Sequence, residues 1–161
     1  MDILQYALDM ELDGERYYRK QAETFADTPL KTVFNTLAKD EMKHADIIRS
    51  QMAGTAYELK ESEQLADRKN LFTGMQDYKP LVKSNPGQAE LYHEALELEQ
   101  RSIDLYTDMR SKTSDAQTLT MLDFLIGEET RHYEIVEEVY RFVNRPNEWV
   151  ESAEFGLREE Y

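Results

Sequence analysis

The sequence predicts an all-α fold: a four-helix bundle of two antiparallel helix pairs joined by a long crossover, with a short C-terminal tail. Three observations predict it. Apolar residues recur at helical spacing in four long stretches. Glycine and proline number only 6 and 4, and several of them fall between those stretches. The second half of the chain also repeats the first at an offset of 88 residues.

The elements follow in order. Leu4, Ala7, Leu8, Gly14, Tyr18, Ala22 and Phe25 line one face of a first helix over residues 3–26. Asp27-Thr28-Pro29 ends it and starts a second over 29–53, with Thr28 as cap and Pro29 in the first turn. That helix carries Leu30, Val33, Phe34, Leu37, Ala38, Ala45, Ile48 and Met52, and stops at Gly54. Residues 54–85 form the crossover, too polar for a core helix but with a short surface helix expected from Tyr57 to Arg68. Asn85 caps a third helix over 86–111, which presents Leu91, Ala95, Leu98, Ile103, Tyr106 and Met109. After a polar break, a fourth helix over 115–143 presents Met121, Leu122, Leu125, Val136, Val139 and Val143 and stops before Pro146. The tail, 144–161, holds Trp149, Phe155 and Tyr161, expected to pack on the bundle or on a neighbouring subunit. Short joins within each pair make its helices antiparallel neighbours. The whole, 1–161, reads as one domain.

Charge and composition narrow the function. With 33 acidic against 19 basic side chains the net charge is -14, a field that repels phosphate backbones and anionic lipid. Nucleic acid and membrane are therefore not expected as partners. There is no cysteine, which removes disulfides, thiolate catalysis and cysteine-ligated iron. No secretory leader and no membrane span is read, so the expected location is cytoplasmic.

The repeat sharpens this picture. Ala7 answers Ala95, Glu11 answers Glu99, Tyr18 answers Tyr106, Leu37 answers Leu125, Glu41 answers Glu129, His44 answers His132 and Ile47 answers Ile135. Shared helical periodicity aligns apolar residues by itself, so the matching Glu and His residues carry the weight. Glu11, Glu41, His44, Glu99, Glu129 and His132 all fall on seams that the pattern reserves for the core.

Burying carboxylates without compensation costs several kcal/mol each, and like charges add repulsion. Lysine and arginine are not on these seams. Two divalent ions would balance four carboxylates, with the imidazoles as neutral ligands. Residues i and i+3 sit about 60° apart around a helix, so each Glu-x-x-His can reach one ion. Oxygen donors with one imidazole per ion suit iron or manganese. Tyr18 and Tyr106, two turns beyond Glu11 and Glu99, read equally as core aromatics or as hydrogen-bond donors to a ligand carboxylate. His93 reads as a surface residue, and Asp40, Glu97 and Glu128 as solvated face.

With those residues assembled, the chain resembles the rubrerythrin-like branch of the ferritin-like di-iron carboxylate superfamily over roughly residues 3 to 143. The resemblance rests on residues 7–18, ALDMELDGERYY, on residues 37–44, LAKDEMKH, and on their counterparts in the second half. It implies a ferritin-like bundle holding two iron ions, with manganese as the alternative. Glu41 and Glu129 would bridge the ions, Glu11 and Glu99 would be terminal ligands, and His44 and His132 would bind one ion each. Two departures stand out. The cysteines of a rubredoxin domain are absent, and the further glutamate expected three residues after the third-helix ligand is Ser102 here.

The function this implies is an oxidoreductase reducing hydrogen peroxide, or O2, with electrons from an external carrier protein, in protection from oxidative stress. A ferroxidase or iron-storage protein is the alternative, then a dimanganese catalase-like enzyme, then a metal-stabilised scaffold. A homodimer is expected, since the family often pairs.

Overall fold

The computed structural model describes residues 2–67, 71, 72, 75 and 87–159, without the side chains of 64, 66, 87, 88 and 144–159. It is all-helical, with no strand among the described residues. The elements are α1 (Ile3–Thr24), α2 (Leu30–Ala53), the short α3 (Glu63–Ala66), α4 (Gly87–Ser111) and α5 (Ala116–Glu159). The long helices pack as two pairs, α1 on α2 and α4 on α5, as the short joins require.

Local chemistry sets the ends. Asp2 Oδ1 accepts the amide of Leu4 at 3.0 Å and opens α1. Thr28 Oγ1 accepts the amide of Leu30 at 3.1 Å, and Pro29 already has helical dihedrals, so the expected cap and first-turn proline both form. Gly54 takes φ 71°, and the Thr55 amide reaches back to Ser50 O at 3.0 Å, the left-handed closure that glycine permits. Asp115 Oδ2 accepts the amide of Thr118 at 2.9 Å and caps α5. The proposed Asn85 cap lies outside the described residues.

Two expectations need correction. Among the described crossover residues, Glu63–Ala66 is a single helical turn and Leu71 and Phe72 are also helical, in place of one helix over Tyr57–Arg68, and the crossover is not merely a surface strap. Leu65, Leu71 and Met75 are buried in the core, so scattered apolar anchors tie a polar segment down. Nor does the last helix stop before Pro146; α5 continues to Glu159. A proline in a helix costs about 3 kcal/mol through its lost amide and one clash. No glycine stands between Asn147 and Phe155 to turn that cost into a stop. The expected packing of Trp149, Phe155 and Tyr161 lies outside the described side chains.

The core is in two blocks. One gathers Phe25, Leu30, Phe34, Leu37, Tyr92, Val136 and Val139 with the crossover anchors. The other gathers Leu8, Ile48, Met109, Met121, Leu122 and Leu125. Between them, at mid-height, every long helix presents charge instead of hydrocarbon.

Candidate metal centre

Glu11 comes from α1, Glu41 and His44 from α2, Glu99 from α4, and Glu129 and His132 from α5. All six are buried, none more than 3% exposed. Helical spacing places each on its seam, and the packing of the two pairs brings the seams together. All six residues that the sequence singled out thus meet in one layer.

Polar contacts in the layer run reciprocally between the pairs. His44 Nδ1 lies 2.8 Å from Glu129 Oε1, and His132 Nδ1 lies 2.7 Å from Glu41 Oε1. The Tyr18 hydroxyl donates to Glu99 Oε1 at 3.1 Å, and the Tyr106 hydroxyl to Glu11 Oε1 at 2.6 Å. Both tyrosines are therefore core aromatics and carboxylate partners at once. The two imidazoles stack with centroids 5.4 Å apart.

Burial and mutual charge set the proton affinities of the layer. Burial pushes the Glu41 and Glu129 carboxyls well above their usual range, helped by their charged neighbours. Burial also opposes a charge on Glu11, but a hydrogen bond with Glu41 and the charge of His44 outweigh it and bring its pKa to about 2. Burial works against protonated imidazoles, yet the surrounding glutamates prevail and raise both His44 and His132. Burial and adjacent carboxylates keep Tyr18 and Tyr106 in the phenol form.

Whether metal fits is answered by the atoms left over. Glu11 Oε2, Glu99 Oε2 and Glu129 Oε2 are buried without a well-formed hydrogen bond, with His44 Nδ1 3.4 Å from Glu11 Oε2 and His132 Nδ1 3.2 Å from Glu99 Oε2. Buried carboxylate oxygens that lack a well-formed bond are rare in folded proteins and are suited to an ion. Donor atoms within 4.8 Å of one another form two four-residue sets: Glu11, Glu41, His44 and Glu129, and Glu41, Glu99, Glu129 and His132. Each set has three carboxylates and one imidazole, and Glu41 and Glu129 belong to both. The residues fit a pair of divalent ions with oxygen-rich coordination.

Asp40 and Glu128 correct the sequence reading. Expected on the solvated face, they are 1% and 2% exposed. Asp40 Oδ2 lies 2.5 Å from His132 Nε2 and 3.5 Å from His44 Nε2. Burial opposes its charge, but the bond and charge of His132 hold its carboxyl below the usual range, with smaller help from His44 and Lys43. Glu128 Oε1 lies 3.5 Å from His44 Nε2, while its Oε2 accepts from Arg131 at 3.1 Å. The repeat held the missed signal, because Asp40 and Glu128 are also 88 residues apart. Glu97 and His93 are exposed as expected.

Comparison with known proteins agrees with this layout. The family model described as Rubrerythrin matches residues 2–140. An uncharacterized protein of Archaeoglobus fulgidus is 32% identical over 54 residues, 34% of this chain and 84% of that protein. No solved structure matches the chain. Among the described residues, no helix is long and apolar enough to cross a membrane.

Proposed function

This chain belongs to the rubrerythrin family, and from that premise we propose that it is a di-iron oxidoreductase that reduces hydrogen peroxide, with O2 as a slower oxidant. The observation that carries the reading is the pair of buried donor sets sharing Glu41 and Glu129. Iron bound there would supply, from two adjacent ferrous ions, the two electrons that O–O cleavage takes. The balance is H2O2 plus two electrons plus two protons to two waters, the electrons being returned by a separate one-electron carrier protein. These 161 residues contain no cysteine, so they offer no thiolate-held cluster for that role.

The protein's own contribution is placement. Glu11, Glu41, Glu99, Glu129, His44 and His132 would hold the ions. Tyr18 and Tyr106 fix Glu99 and Glu11 through their hydroxyls. Asp40 holds the outer nitrogen of His132, which fixes the ring and raises its basicity as a ligand. The apolar blocks on either side keep bulk water out and strengthen every charge interaction in the layer.

Metal analysis of the native protein followed by rapid mixing of its reduced form with each oxidant tests the reading. Peroxide should oxidise the iron form faster than O2 does. Faster reaction with O2, together with retention of far more than two irons per chain, would establish iron oxidation and storage instead. Native manganese with O2 evolved from peroxide would establish a catalase.

A further inference from the structure

We propose that the cleft between α1 and α4 is the port through which a small neutral oxidant reaches the centre, and that Gly14 and Ser102 set its size limit. The inference rests on the oxidoreductase reading and adds to it a route and a substrate class, the unhindered hydroperoxides.

Apolar blocks close the layer above and below. Among the described residues two lateral clefts are lined by candidate ligands, while a third beside the crossover reaches Asp40 alone of the layer's acids. One, of about 300 Å3, is lined by Lys43, His44, Ile47, Tyr57, Phe124 and Glu128. Within this group the candidate ligand is His44, whose outer nitrogen faces Asp40 and Glu128 at 3.5 Å, so an entering molecule meets the back of an imidazole. The other, of about 350 Å3, is lined by Tyr6, Met10, Gly14, Glu41, Glu99 and Ser102, with Asp9, Asp13 and Arg101 among its remaining residues. It reaches two candidate ligand carboxylates directly, one of them common to both donor sets. Glu99 is only 3% exposed, and its Oε2 lacks a well-formed hydrogen bond.

Gly14 and Ser102 occupy equivalent places in the repeat, three residues after Glu11 and Glu99. A Cβ on Gly14 would stand 3.2 Å from Glu41 Oε2 and 3.3 Å from its Cδ. Glycine inside a helix costs about 0.5–1 kcal/mol relative to alanine. Here the bare backbone leaves room for the Glu41 carboxylate. Ser102 is 6% exposed and its hydroxyl is occupied by Leu98 O at 3.3 Å, so it contributes little bulk beyond a Cβ. The acids Asp9 and Asp13 oppose anions more than Arg101 attracts them, so the mouth rejects deprotonated oxidants and admits neutral ones without penalty.

The test uses the iron-loaded, reduced full-length protein and nitric oxide, a small neutral probe whose binding to ferrous iron is read by absorbance and electron paramagnetic resonance. Ser102→Leu and Met10→Trp should each slow nitric oxide association at least tenfold while retaining wild-type iron content. Met10 is only half-buried and outside the ligand set, so it reports even where Ser102→Leu misfolds. Ser50→Trp, in the other cleft, should leave the rate unchanged. Ser102→Gly should raise the rate with cumene hydroperoxide relative to hydrogen peroxide. Normal nitric oxide rates in iron-loaded Met10→Trp, or slowing by Ser50→Trp instead, would overturn the port alone. Rapid nitric oxide binding without oxidation by peroxide would overturn the peroxidase reading while leaving the route in place. Failure of the wild type to take up iron would overturn both.

Discussion

Tyr106 donates its phenolic hydrogen to Oε1 of Glu11 at 2.6 Å, so a helix of the second pair orients a carboxylate of the first. Removing the hydroxyl leaves a buried acceptor without a donor, at a cost of about 1–3 kcal/mol. Tyr106→Phe should lower the urea midpoint of the metal-free protein without changing the slope. An unchanged midpoint would mean that Glu11 finds another donor.

Asp40 acts on metal through His132 rather than by contact with it. Asp40→Asn keeps the volume but removes the charge that holds the outer imidazole nitrogen at 2.5 Å. Loss of such a partner weakens metal affinity by about 10- to 100-fold. Metal titration against a competing chelator reads this directly, and conservative rescue by Asp40→Glu separates charge from packing.

Glu129 belongs to both donor sets and Glu11 to one. Glu129→Ala should therefore weaken both ions, whereas Glu11→Ala should leave the set around Glu99 and His132 intact. Elemental analysis after gel filtration should find about one ion per chain in Glu11→Ala and fewer in Glu129→Ala, following the count of carboxylate ligands that each set retains. Equal losses in the two variants would contradict the shared-ligand geometry.

Metal loading should be proton-linked. Burial and neighbouring charge raise Glu41 and Glu129, and surrounding carboxylates raise His44 and His132, so these groups keep protons to higher pH than usual. Ions must displace those protons, so affinity rises with pH and falls as pH drops. Calorimetry in buffers of different ionisation enthalpy should register net proton release as both sets fill. Bound metal should also raise the melting temperature, by about 2.7 kcal/mol of stability at a free concentration of 100 Kd. No proton release and no thermal shift would exclude a metal site.

Much of this was legible in the sequence because its strongest signal was a contradiction. Glu11, Glu41, Glu99 and Glu129 sit where helical periodicity demands hydrocarbon, and their repetition at one offset excluded accident. Asp40 and Glu128 read as solvated face because each precedes a seam position by one residue, about 100° around the helix, on a side nominally open to water. Three-dimensional packing closes that face around Asp40, where Lys60, Glu61, Ser62 and Glu63 of the crossover share a cleft with it. Leu65, Leu71 and Met75 were hidden for a related reason. Isolated apolar residues in a polar segment have no period, and only tertiary contact reveals them as anchors.

The reciprocal bonds across the layer have a further consequence, for alignment. Apolar surfaces are non-directional and tolerate sliding, whereas His44–Glu129, His132–Glu41, Tyr18–Glu99 and Tyr106–Glu11 each join one helix pair to the other. A slip of one helical turn, about 5.4 Å, would break all four together. A buried polar residue sets the register of a coiled coil in the same way. The charged layer thus serves as the vernier of the bundle, selecting one vertical alignment of two greasy surfaces.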